Sequence, residues 1–99
     1  MKMPVLLIVD DEKLMLEDLS TMIDWEAYGY QIIATAFNGK QALRKYREYH
    51  PQVIFTDIRM PFMDGIEMIS EIRKKDEKVS IVLLTAYEDF SYAKAAIRL

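Results

Sequence analysis

The chain is short and acidic, with 99 residues, no cysteine and a formal net charge of −3 at pH 7. This length favours one domain, and a hydrophobic content of 52% favours a packed core over a disordered tail. The charge argues against a large surface for nucleic acid or anionic membrane, and the lack of cysteine excludes disulfides and thiolate metal sites. Because acids interrupt the apolar N-terminal stretch early, we expect neither a signal peptide nor a membrane span, and the cytoplasm is the expected location.

The first two elements are predicted to be a strand and a helix. VLLIV, residues 5–9, has the continuous apolar character of a buried strand. An amphipathic helix is predicted over residues 12–25, where apolar residues recur at spacings of three and four. Asp10 or Asp11 is expected in the N-cap region of this helix, with Glu12 in its first turn.

The rest of the chain continues the alternation. The predicted elements are strands at 31–37 (QIIATAF), 53–56 (VIFT) and 80–84 (SIVLL), and helices at 40–50, 66–75 and from Glu88 onward. His50 precedes a proline at a helix end, so we expect it to be a solvent-exposed partner of the helix dipole rather than a catalyst. Alternating strands and helices with short connections predict one parallel, doubly wound α/β sheet with right-handed crossovers.

Polar residues follow three of the predicted strands at the point where each strand ends. They are Asp10 and Asp11, then Asp57, then Thr85. Because parallel strands place their carboxyl ends at one edge of the sheet, we expect these side chains to converge. Each has a simpler interpretation: the Asp10–Asp11 pair as helix caps, Asp57 as a turn acid, and Thr85 as an ordinary strand-end hydroxyl. Their joint appearance at successive strand ends favours a functional site.

The chemistry of this set points to a divalent cation and a phosphoryl group. Mg²⁺ prefers oxygen ligands and is commonly held by one or two carboxylates together with phosphate oxygens. An aspartate carboxylate is also an established nucleophile in phosphoryl transfer. Without a cation, two carboxylates about 4 Å apart repel by roughly 4 kcal/mol at an effective dielectric constant near 20. An acidic pocket therefore destabilises the fold unless a cation is bound.

Three motifs together resemble the receiver domain of two-component response regulators. They are VDDE at 9–12, TDIRMPFMDG at 56–65 and LLTAYED at 83–89. The resemblance implies a flavodoxin-like fold, a CheY-like signalling domain that is a phosphoacceptor rather than an enzyme, and a sensor histidine kinase as the phosphodonor. The segments IDWEAYGYQIIATAFNGKQAL and YEDFSYAKAAIRL look most like receivers attached to AraC-type helix-turn-helix regulators.

The resemblance also implies a role for each matching residue. Asp57 matches the phosphoacceptor, and Asp10 and Asp11 match the acidic pair that binds Mg²⁺. Arg59 matches the position whose backbone carbonyl binds the same ion, and Thr85 matches the hydroxyl that reaches the phosphoryl oxygens. The implied partners are the kinase and an output domain that regulates transcription by binding DNA, or a second receiver in a dimer.

Four strands are visible where the family has five in the order 2-1-3-4-5. Residues 1–99 are therefore interpreted as one incomplete receiver domain, truncated before the fifth strand, the last helix and the output domain. The phosphate-contacting lysine of the family has no counterpart here. Two alternatives stay open: a phosphorylation-independent receiver that serves as an interaction module, and a hydrolytic phosphatase of the aspartyl-nucleophile class. Arg59 disfavours the phosphatase, because that chemistry usually wants an aspartate two residues after the nucleophile.

Overall fold

The structure, a computed structural model, describes residues 3–84, so Thr85 and the helix predicted from Glu88 lie outside the described residues. Four strands form one parallel sheet in the order β2-β1-β3-β4. The strands are β1 (Val5–Val9), β2 (Gln31–Ala36), β3 (Val53–Asp57) and β4 (Ser80–Leu84). The helices are α1 (Lys13–Thr21), α2 (Gly39–Tyr49) and α3 (Gly65–Arg73), with a short 3-10 helix at Trp25–Tyr28. The predicted parallel α/β sheet is confirmed.

The central strand β1 is buried on both faces of the sheet. Leu6 and Ile8 pack with Leu16 of α1 on one face, whereas Leu7 and Val9 belong to the larger core beneath α2 and α3. These four β1 side chains are fully buried, and only Val5, at the start of the strand, is partly exposed. Burying each of these side chains stabilises the fold by about 1.5–3 kcal/mol. Because both faces of the strand are covered, apolar residues occupy successive positions rather than alternate ones.

The pairing register brings the ends of β1 and β3 side by side. Val9 pairs with Thr56, so the residues that follow them along each strand are adjacent at the carboxyl edge of the sheet. On the other side of β3, Asp57 pairs with Leu84 of β4. The backbone pairing of the strands alone thus places Asp10 and Asp57 side by side.

The helix predicted over 12–25 starts within one residue of the observed helix but is too long at its C-terminal end. It begins at Lys13 and ends at Thr21, and Trp25–Tyr28 forms a separate 3-10 helix capped by the Asp24 side chain. The indole Nε1 of Trp25 donates to the carbonyl of Leu19 at 2.7 Å, and the ring packs edge-on against Phe55 with centroids 5.1 Å apart. These contacts turn the chain back toward the sheet, which a continuing α-helix could not do.

The second and third helices have well-defined starts and stops. Asn38 caps α2 by accepting a hydrogen bond from the backbone N–H of Gln41, and Asp64 forms a reciprocal capping box with Glu67 at the start of α3. His50 ends α2 in the left-handed region, with φ at 49°, and is exposed as expected. Within residues 3–84, no helix has the length and apolar character that crossing a membrane would require.

A partly exposed hydrogen-bond network joins α2 to the loop between α3 and β4. The Tyr46 hydroxyl donates to Oδ2 of Asp76 at 2.6 Å, while Oδ1 of Asp76 accepts from the backbone N–H groups of Lys78 and Val79. The hydrogen bond from Tyr46 lowers the pKa of Asp76 from its usual 3.8, and the backbone bonds add to this. Burial and the same hydrogen bond raise the pKa of Tyr46 to about 12.

We expect Tyr46→Phe to lower the free energy of unfolding by about 1 kcal/mol at neutral pH, because it deletes the hydroxyl donor and keeps the ring. Since the pKa of Asp76 is depressed in the folded state, its contribution is present above pH 3.8 and is lost as the pH falls through the lower folded value. The difference between variant and parent should therefore shrink as the pH falls below 3.8, as measured by urea denaturation.

Tyr49→Phe is the matched control, since Tyr49 lies on the same helix with 43% of its surface exposed. It should leave the unfolding free energy unchanged across the same pH range. A Tyr46→Phe curve that coincides with the parent at neutral pH would contradict the assigned role of this network.

Candidate functional site

Three carboxylates meet at the carboxyl edge of the sheet. One oxygen each from Asp10, Asp11 and Asp57 lies within 4.8 Å of the other two. Asp10 and Asp11 directly follow β1, and Asp57 ends the neighbouring β3. The structure therefore brings together the three acids that the sequence singled out. Thr85, the fourth member of the predicted set, lies outside the described residues.

Asp10 is the most deeply buried of the three, with 5% of its surface exposed. Its Oδ1 accepts a hydrogen bond from the backbone N–H of Glu12 at 2.9 Å. Burial is the main cause that raises the pKa of Asp10 above its usual value, and the negative charges of Asp11 and Glu12 raise it further, against the opposing effect of the backbone bond. The protein thus holds a carboxylate where its charge is unfavourable.

The cap predicted for α1 is wrong. Glu12 occupies the N-cap position, its side chain makes no capping hydrogen bond, and no acid lies in the first helical turn. The N–H of Asp10 still donates to the carbonyl of Ala36 beside the sheet, the chain bends at Asp11, and Glu12 has extended backbone angles. The helix therefore begins later than the sequence suggests, and capping by Asp10 or Asp11 at the N-cap position cannot explain why two acids stand there.

Asp57 is half-buried, and its Oδ1 accepts from the N–H of Ile58 at 2.7 Å. The start of α3 presses against the same stretch: the N–H of Gly65 donates to the carbonyl of Ile58 at 2.7 Å. A Cβ added at Gly65 would overlap the backbone carbonyl oxygen of Asp57. Gly65 is thus required by close backbone approach, and it fixes the loop that leaves Asp57.

A second glycine contact, which sequence reasoning missed, holds the same loop from the side of α2. The N–H of Gly39 donates to the carbonyl of Met63 at 2.9 Å, and a Cβ there would lie 2.5 Å from that oxygen. In the loop that these two glycines contact, Phe62 has φ at 70° and is 80% exposed. The backbone N–H of Met63 donates a hydrogen bond to the carbonyl of Pro61. The Asn38–Gly39 pair signals a turn in the sequence, but nothing in the sequence signals its contact with a loop more than twenty residues away.

The carboxylate cluster suits a divalent cation that prefers oxygen. Its donors are all carboxylates, a set typical of Mg²⁺, Ca²⁺ or Mn²⁺ rather than of zinc or copper. Burial of Asp10 beside two further acids leaves repulsion that a bound cation would offset. Arg59 is exposed two residues beyond Asp57. The role of its backbone carbonyl as a metal ligand stays a prediction.

The chain is similar in sequence to a known protein family and to several regulatory proteins. A family model described as the response regulator receiver domain matches residues 6–99. The chain is 36% identical over 91 residues to the transcriptional regulatory protein HptR of Staphylococcus aureus, covering 92% of this chain and 35% of that protein. It spans between a quarter and about a third of the length of the curated relatives that it matches.

Solved structures extend the likeness to the fold. The receiver (REC) domain of AraT, a response regulator from Geobacillus stearothermophilus, superposes with a TM-score of 0.90 at 34% identity, over 97% of this chain and 74% of that one. A two-component transcriptional regulator AraC from Clostridium phytofermentans superposes with a TM-score of 0.88 at 40% identity, with the same coverage of 97% and 74%. The parallel sheet and its flanking helices thus have the flavodoxin-like arrangement of these domains.

We expect Asp10→Asn to raise the free energy of unfolding without Mg²⁺ by about 1–3 kcal/mol, part of the roughly 4 kcal/mol by which two charges 4 Å apart repel at an effective dielectric constant of 20. The amide oxygen keeps the bond from the N–H of Glu12. Asp57→Asn should act in the same direction, and both variants should gain less stability than the parent when Mg²⁺ is added. Urea denaturation at pH 7 with and without Mg²⁺ measures this.

Asp18→Asn, on the exposed face of α1, is the control and should show no Mg²⁺-dependent difference from the parent. If Asp10→Asn and Asp57→Asn each lower the metal-free unfolding free energy by several kcal/mol, the cluster is structural and the cation site loses its main support.

We expect Gly65→Ala to lower the free energy of unfolding by about 1–3 kcal/mol and to weaken Mg²⁺ binding, because the new methyl group displaces the backbone of Asp57. Gly29→Ala is the control: Gly29 has φ at 87° and open space around its Cβ position. That variant should lower stability through backbone strain while Mg²⁺ titrations remain unchanged. Equal Mg²⁺ affinity in Gly65→Ala and the parent would be inconsistent with this role for Gly65.

Proposed function

Because the chain belongs to the response regulator receiver domain family, we propose that Asp57 accepts a phosphoryl group from a sensor histidine kinase, with Mg²⁺ held beside it. The observation that carries this proposal is the meeting of Asp10, Asp11 and Asp57 within 4.8 Å at one edge of the sheet. In this proposal Asp10, Asp11, Asp57 and the backbone carbonyl of Arg59 bind the cation.

The proposed transfer forms one bond and breaks another. A carboxylate oxygen of Asp57 attacks the phosphorus of a phosphohistidine, the P–O bond of an acyl phosphate forms, and the P–N bond breaks with its electron pair returning to the imidazole. The N–H of Ile58 restrains the Asp57 carboxylate by donating to Oδ1. A bound cation supplies charge neutralisation for the carboxylates and the phosphoryl oxygens. Thr85 is proposed to contact those oxygens after transfer.

The rest of the proposal concerns a longer protein. Residues 1–99 act as the receiver of a cytoplasmic response regulator whose output domain binds DNA and controls transcription, and this segment contacts neither nucleic acid nor membrane. The receiver is a signalling domain that assists its own phosphorylation and dephosphorylation. The similarity to HptR, a transcriptional regulatory protein, supports this assignment, and so does the match to only 35–36% of the length of such relatives. A second receiver is the proposed partner if the protein dimerises.

The transfer is testable with a small phosphodonor. Incubating the intact protein with acetyl phosphate and Mg²⁺ should add one phosphoryl group, located on Asp57 by mass spectrometry, and chelating the metal should prevent the addition. Asp57→Asn should abolish the modification, because the amide is a poor nucleophile. Asp64→Asn is the matched control, since Asp64 caps α3 in the same loop and asparagine caps equally well.

Phosphorylation in Asp57→Asn at the rate of the parent would contradict the assignment of the acceptor. The alternative, a phosphorylation-independent interaction module, would be favoured by two results together. Neither acetyl phosphate nor a histidine kinase would modify the parent protein, and its affinity for partners would not change with Mg²⁺ or beryllofluoride.

A further inference from the structure

A cavity of about 330 Å³ lies between the C-terminal halves of α2 and α3, and the proposed phosphorylation does not use it. Its apolar lining comes from Leu43, Ile72 and Tyr46, and its cationic lining from Arg47, Lys74 and Lys75. Crossover helices run back along the sheet, so the C-terminal ends of α2 and α3 lie toward the edge opposite the aspartate cluster. This cavity is therefore separate from the candidate metal site.

The cavity carries a surplus of positive charge. Among its lining residues, the one carboxylate is Glu71, whose Oε1 pairs with Nζ of Lys74 at 2.8 Å. The hydrogen bond and charge of Lys74 lower the pKa of Glu71 most, and Arg47 and Lys75 lower it further. One acid thus faces three cations, and about two positive charges remain without a matching anion in the lining.

Apolar surface lies next to these cations. Leu43 is 6% exposed and Ile72 is 2% exposed, so both belong to the core beneath the cavity. The Tyr46 hydroxyl is engaged by Asp76, which leaves the ring rather than the hydroxyl to line the cavity. The site therefore combines an apolar base with a cationic rim.

Helix dipoles explain part of this arrangement. Cations stabilise helix C-termini by about 0.3–1 kcal/mol, so a basic residue near the end of either helix needs no ligand. The helix dipole does not explain why cations from α2 and α3 lie together around the carboxylate of Glu71, because the positive charges repel one another. It also gives no reason for an open cavity above Leu43 and Ile72.

We propose that this cavity binds a small organic anion with an apolar body and a single carboxylate or phosphate headgroup. The volume lies at the lower end of the roughly 300–1,000 Å³ typical of small-molecule sites, which suits one aromatic ring or a short aliphatic chain. Two uncompensated cations match one anionic headgroup, with Arg47 suited to bidentate contact. Nucleic acid fits poorly, because the whole chain is negative and the rim offers only three cations.

The test uses two-dimensional amide NMR of the isotope-labelled whole chain. Phenylacetate, octanoate and phenyl phosphate are titrated separately, which distinguishes carboxylate from phosphate headgroups and aromatic from aliphatic bodies. At least one should give saturable shifts centred on the amides of Leu43, His50 and Ile72. The neutral analogue phenylacetamide and inorganic phosphate should each bind at least about tenfold more weakly, since each lacks one half of the recognised chemistry.

Arg47→Glu should weaken binding of the best probe by about tenfold or more, the loss expected for one charge-assisted contact. Arg44→Glu is the matched control, because it makes the same charge change on an exposed position of the same helix outside the cavity lining. It should change the affinity by less than about twofold. Lys75→Glu provides a second test at the rim if Arg47→Glu loses its dispersed spectrum.

Three results would overturn the proposal. The first is the absence of saturable shifts with all three probes. The second is an equal loss of affinity in Arg47→Glu and Arg44→Glu, which would indicate nonspecific attraction to a basic helix. The third is binding of inorganic phosphate as tight as that of phenyl phosphate, which would show that the apolar base takes no part.

Discussion

The register in which β1 pairs with β3 is the constraint on which the rest of this structure depends. Parallel pairing of β1 with β3 places Val9 opposite Thr56 and so sets Asp10 and Asp57 at neighbouring strand ends. A shift of one residue in this register would turn the side chains of a strand to opposite faces and disperse the cluster. The fully buried residues of β1 oppose such a shift, and in this way the apolar core stabilises an arrangement that its charged edge disfavours.

The strands were predictable from the sequence because each is rich in apolar residues, although only β1 is covered on both faces and the edge strands β2 and β4 alternate between exposed and partly buried positions. Their observed bounds agree closely with those expected, and the parallel order of the sheet follows from alternation with helices. The end of α1 was not predictable, because the apolar spacing continues past Thr21. The helix stops where the indole of Trp25 bonds back to Leu19, a tertiary contact that periodicity does not report.

The candidate site was predictable in its members and less so in its geometry. Strand-end position identified the three acids, but not that Asp10 would be buried while Asp11 is exposed. The two glycine contacts also differ in how far the sequence predicts them. Gly65 belongs to a recognisable motif, whereas the contact of Gly39 with Met63 depends on how two loops approach in space. The N-cap was wrong for a related reason: the N–H of Asp10 is bound to the carbonyl of Ala36, and the chain bends at Asp11 before α1 begins.

The strand order has a consequence for how the protein is made. Of the four described strands, β1 is synthesised first and ends in the interior of the sheet, yet its neighbour β3 begins about 45 residues later, a delay of a few seconds at roughly 5–20 residues per second. During that interval the most apolar segment of the nascent chain has an open pairing edge. Until β3 is made, that unpaired edge is free to pair with another chain.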